Sequence, residues 1–124
     1  MRRISILVMA AAVFAVGCTD DITNGGNGSG GDFAISVGSG TTPLYTWSTG
    51  PAFSIAVVRT SNQTNVVWRV TSTAGTMTSP VQQGTVPQGA LESANSERTL
   101  TVGVEYSVTI TLPDGRSAFQ NFRP

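Results

Sequence analysis

Few side chains in this 124-residue sequence are equipped for chemistry: it has no histidine, no lysine and a single cysteine, Cys18. Ser-His-Asp triads, Cys-His pairs, Schiff-base lysines and zinc sites therefore lack their parts. Paired carboxylates remain. Glu92, Glu97, Glu105 and Asp114 are the candidates, and a glycosidase would need two of them facing each other across a cleft. Glu105 alternates to the outside of a strand pattern, Asp114 sits in a turn, and Glu92 and Glu97 flank a polar loop. The sequence thus predicts no catalytic residues, no cofactor and no metal. The other candidates are Tyr45 and Trp47, two apart in Pro43-Leu44-Tyr45-Thr46-Trp47. On a strand both rings share a face. Exposed, they would form a stacking platform for sugar rings or apolar side chains. Inward, they would pack with Phe33, Phe53 and Trp68, the simpler use of nine aromatics in a chain with a core to fill.

The cysteine is explained by what precedes it. Met1-Arg2-Arg3 is a short positive segment and Ile4 to Val16 is an apolar run, the pattern of a secretory signal. The run is shorter than the roughly 20 residues of a membrane-spanning helix. Ala15-Val16-Gly17-Cys18 then resembles the lipobox of bacterial lipoproteins. The resemblance implies cleavage between Gly17 and Cys18, a diacylglyceryl group on the Cys18 thiol and usually a further acyl chain on its new amino group. Two or three chains, at about 0.8 kcal/mol per buried methylene, hold a protein stably on a membrane. Thr19, rather than aspartate, follows the cysteine, which implies the outer membrane wherever the cell has one.

Cleavage before Cys18 removes 17 of the 124 residues and leaves 107, with five arginines against seven acids and a formal charge of −2. Without a basic stripe, nucleic-acid binding has no electrostatic basis. The stretch TDDITNGGNGSGGD, from Thr19 to Asp32, offers almost nothing to bury and reads as a flexible tether. Gly25-Gly26-Asn27-Gly28 with Asp32 resembles one copy of a calcium-binding nonapeptide repeat; a single copy has no neighbour to stack on and reads as linker. The expected organisation is a signal over residues 1–17, lipidated Cys18 and tether over 18–31, and one small domain over 32–124.

That domain reads as strands throughout. Phe53, Ile55 and Val57 alternate with smaller residues, as do Val66, Trp68 and Val70, and Val104, Tyr106, Val108, Ile110 and Leu112. This is the period of half-buried β-structure. Their inward sides form the predicted core. Pro113-Asp114-Gly115 closes a hairpin whose return strand runs from Ser117 to Phe122. Gly and Pro clusters at Gly38 to Pro43, Ser48 to Pro51 and Gly84 to Gly89 punctuate the rest, as in a sandwich or barrel.

Leu100-Thr101-Val102-Gly103-Val104-Glu105-Tyr106-Ser107-Val108 is similar to the leucine, glycine, tyrosine and valine pattern of fibronectin type III and related immunoglobulin-like domains. The resemblance implies an antiparallel β-sandwich of about seven strands. Tyr106 would then begin a strand with its hydroxyl bonded to the chain just upstream, a tyrosine corner. Trp68 would be a core tryptophan on the third strand. Such domains usually bind, space or brace. The expectation is a non-catalytic, lipid-anchored envelope protein with an envelope protein or a glycan as partner.

Overall fold

A computed structural model of the chain describes residues 28–93 and 97–124. The signal sequence, Gly17 and Cys18 lie outside these residues. Among the described residues there is no helix, and nine antiparallel strands form two sheets.

The larger sheet is built around two strands whose alternation was clearest in the sequence. β4 (Ser54–Arg59) and β8 (Tyr106–Thr111) pair directly, with Ile55 opposite Ile110 and Val57 opposite Val108. β5 (Asn62–Thr71) flanks β4, and β9 (Ser117–Phe122) flanks β8. Two short strands complete the edges, β1 (Ser29–Gly31) on β9 and β7 (Leu91–Glu92) on β5. The second sheet consists of β2 (Ser36–Val37), β3 (Leu44–Thr46) and β6 (Val81–Gln82), in that spatial order. Together the two sheets make an immunoglobulin-like β-sandwich. β1 and β7 raise the strand number above the expected seven.

The core lies between the sheets. Tyr45, Ile55, Val57, Trp68, Val70, Tyr106, Val108 and Ile110 are fully buried. Phe122 packs edge-on to Tyr45 and stacks on Tyr106, with ring centroids 5.9 Å apart in each pair. The Tyr45 contact joins the two sheets and the Tyr106 contact joins neighbouring strands β8 and β9 of one sheet, both in geometries that aromatic quadrupoles favour. The hairpin after Leu112 forms as its turn residues require: Gly115 adopts φ 97° and its N–H donates to the Leu112 carbonyl at 3.0 Å.

Four expectations are corrected. Phe53 is 37% exposed, while Ala52 is buried. The chain changes partner at this point, since the Ala52 N–H donates to Met77 O and the Phe53 N–H to Thr111 O. Alternation therefore begins only at Ser54. Val66 is half-buried, and Val67 takes the inward place beside Trp68. Trp68 pairs with Val57 and Val66 with Val58, so Val67 is an extra residue at a bulge, which resets the phase of the strand. Trp68 is buried as expected but stands on β5, one place outside the strand that pairs with β8. The domain boundary also moves: Ser29, Gly30 and Gly31 pair with Gln120, Phe119 and Ala118, so the sandwich has begun by residue 28 rather than at Asp32.

Candidate functional site

Each candidate carboxylate is engaged by its own neighbours. Glu92, on β7, accepts hydrogen bonds from Trp68 Nε1 at 2.6 Å and from Arg98 Nε at 3.0 Å. The Arg98 guanidinium first, then the Trp68 N–H, holds the Glu92 carboxyl below the usual carboxylate range. Glu97 accepts from Arg59 Nη2 at 3.1 Å and from the Tyr106 hydroxyl at 3.0 Å. Glu105 accepts from the Thr60 hydroxyl at 2.9 Å. Asp114 accepts from the Arg116 backbone N–H and side chain, which lower its pKa. The sequence pointed to these residues, and the structure gives each a separate structural partner rather than bringing two together across a cleft.

Tyr45 and Trp47 do share a face, and it is the inner one. Both are buried. The Tyr45 hydroxyl donates to Gln83 Oε1 at 2.7 Å, and Trp47 Nε1 donates to the Gly50 carbonyl at 2.7 Å. Burial first, then the nearby Tyr106, pushes the Tyr45 phenol pKa up. An exposed Tyr45/Trp47 platform is thereby overturned: the two rings fill the smaller sheet's side of the core, where each polar atom has a partner.

An exposed aromatic does occur on the opposite surface. Phe119 in β9 is 40% exposed on the outer face of the six-stranded sheet. Its cross-strand neighbour on the sheet edge is Gly30. A Cβ at Gly30 would lie 2.9 Å from Phe119 Cε1, so the ring rests over glycine backbone, an arrangement that covers an otherwise bare edge. Beside the ring is a groove of about 430 Å³, lined among others by Gln63, Ser107, Thr109 and Asn121. None of these four side chains has a hydrogen-bond partner among the described residues. The volume falls in the range of about 300–1,000 Å³ of small-molecule sites.

Register extends this face beyond the groove. Phe119 faces Thr109, Thr109 faces Ala56, and Ala56 faces Arg69. This row crosses four strands, about 14 Å at the usual strand spacing, with small side chains between an aromatic and a cation. Arg69 is exposed and has no acidic partner among the described residues. No outward position of β4, β8 or β9 carries an acid. The sequence held one cue to this face: Phe119 and Phe122 are three apart, so on one strand they point to opposite sides and one must face out.

Comparison of the chain with family models, with curated proteins and with solved structures finds no match.

Proposed function

We propose that the chain is a lipid-anchored, non-catalytic, immunoglobulin-like module of the bacterial envelope, working by binding or spacing rather than turnover. The observation that carries this reading is the lipobox-like Ala15-Val16-Gly17-Cys18, ten residues ahead of Gly28 at the edge of the sandwich. Ten residues reach at most about 35 Å fully extended, so acylated Cys18 keeps the domain close to the lipid. Gly28 O accepts from the Asn121 N–H, next to Phe122 and the β4–β5 turn. That end carries the tether, and the Pro113-Asp114-Gly115 turn lies at the other end of β8. The carboxylates support a non-catalytic role, because each is committed to an arginine, hydroxyl or indole of its own. The Leu100 to Val108 pattern, with its upstream-bonded tyrosine, supports a fibronectin type III-like reading within the wider class.

Labelled fatty acid fed to producing cells tests the anchor. Label enters the parent chain, and Cys18→Ser abolishes both labelling and signal cleavage. Unchanged membrane retention of Cys18→Ser would instead mean that the apolar run itself holds the chain in the membrane. Fractionation adds the destination, the outer membrane in a cell that has one; recovery solely with the inner membrane would refute it.

A further inference from the structure

We propose that the outer face of the six-stranded sheet binds an extended acidic oligosaccharide, with Phe119 as the stacking platform and Arg69 as the cation that selects for a carboxylate. The inference rests on reading the chain as a binding module and supplies its ligand class. A pyranose ring presents an apolar C–H face and a rim of hydroxyls. Phe119 offers a ring to the first. Gln63, Ser107, Thr109 and Asn121 offer unpartnered donors and acceptors to the second.

The shape fits a chain better than a single small molecule. The row from Phe119 over Thr109 and Ala56 to Arg69 is open and low in the middle, so a ligand lying across the strands reaches ring and guanidinium together. A peptide is a poorer match. Strand addition uses a sheet edge, whereas this groove lies on a face, with Phe119 and the half-buried Val58 as its apolar lining. Arg69 meets no outward acid of β4, β8 or β9, whereas the exposed Asp32, whose carboxylate accepts the Ser117 N–H, lies at the Phe119 end, so the preference for an anion belongs to the Arg69 end of the row.

Gly30 is the positioning residue. The ring sits where a side chain at position 30 would be, with Cε1, Cζ and Cδ1 at 2.9, 3.3 and 3.7 Å from the site of a Cβ. Gly30→Ala therefore displaces the ring while leaving Phe119 in the chain. The displaced atoms are the far end of a part-exposed side chain, so the variant still folds.

The test uses the full chain purified from membranes in detergent, on an array of linear cello-oligosaccharides and oligogalacturonates. The expected result is binding of the oligogalacturonates above the neutral series. Phe119→Ala weakens binding about tenfold, of the order of one lost stacking contact. Gly30→Ala weakens it in the same direction, and Phe119→Tyr retains it. Arg69→Gln removes the preference for the acidic series. Thermal melts of each variant separate lost binding from lost fold, and Phe119→Tyr with Gly30→Ala keep the test sound where Phe119→Ala melts early. Absence of binding to either series at millimolar concentration overturns the proposal, as does binding indifferent to Phe119, Gly30 and Arg69. Phe119-dependent self-association in sedimentation without glycan binding overturns it in favour of a sheet-to-sheet dimer. None of these failures touches the anchor, which is read from the chemistry of Cys18.

Discussion

The Tyr106 hydroxyl accepts the Thr101 backbone N–H at 2.9 Å and donates to Glu97 at 3.0 Å. Glu97 in turn accepts Arg59, and its main-chain carbonyl accepts Gln83 Nε2, whose own amide oxygen holds the Tyr45 hydroxyl. One phenol thus ties the connection before β8 to a network that crosses the sandwich. Removing it in Tyr106→Phe leaves the Thr101 N–H without its partner and Glu97 Oε2 with only the longer Arg59 contact at 3.4 Å, and costs on the order of 1–2 kcal/mol. Tyr106→Ala adds a cavity and costs about 3 kcal/mol or more. For a domain of this size 1 kcal/mol lowers the melting temperature by about 4–8 °C, so thermal melts separate the two variants from the parent and from each other. Equal melting of Tyr106→Ala and parent would remove the residue from the core. Glu92 gives a pH dependence. Its carboxyl is held below its ordinary value of 4.5 in the folded chain by Arg98 and Trp68. Its contribution to stability is therefore present above that value and is lost as the pH falls below it. Melting temperature measured from pH 7 to pH 3 drops more steeply in the parent than in Glu92→Gln; parallel curves would mean that the ion pair contributes nothing.

Strands with alternating side chains were legible in the sequence, and those formed by other means were not. β4 and β8 carry their phase in Ile55, Val57, Tyr106, Val108 and Ile110, because a sheet with one buried face repeats every two residues. β5 hid its bulge, since Val66, Val67 and Val70 are chemically alike and only pairing with β4 decides that Val67 points inward. β1 was invisible for a stronger reason. Ser29, Gly30 and Gly31 have no apolar periodicity, and their strand consists of backbone pairing to β9 with a phenyl ring laid over it. The candidate site inherits that limit. Spacing places Phe119 and Phe122 on opposite faces without saying which is outward, and Arg69, Ala56 and Thr109 join the Phe119 row only through the registers of three strand pairs. If β1 belongs to the domain, deleting Gly28–Gly31 from the full chain uncovers the β9 edge, lowers the melting temperature and promotes association through the bare strand. A deletion that melts with the parent and stays monodisperse would restore the boundary to Asp32.

At the scale of the molecule, the sandwich holds together without a disulfide. Its one cysteine lies ahead of the described residues, and stability must come from the packed aromatics and the cross-sheet network. A margin of roughly 5–10 kcal/mol is the ordinary expectation for such a domain. That economy makes sense if the cysteine has another use. On the proposed reading, lipid on Cys18 would tether the sandwich by its Gly28 end and give an 11% charged chain without lysine its place at a membrane. The most direct measurement is the intact mass of the mature chain purified from membranes, with fragmentation of its first peptide. The account predicts a chain that begins at Cys18, lacks Met1 to Gly17, and carries a diacylglyceryl thioether with an acylated amino group. A chain with a free Cys18 thiol, whether uncleaved or cut elsewhere, would contradict it.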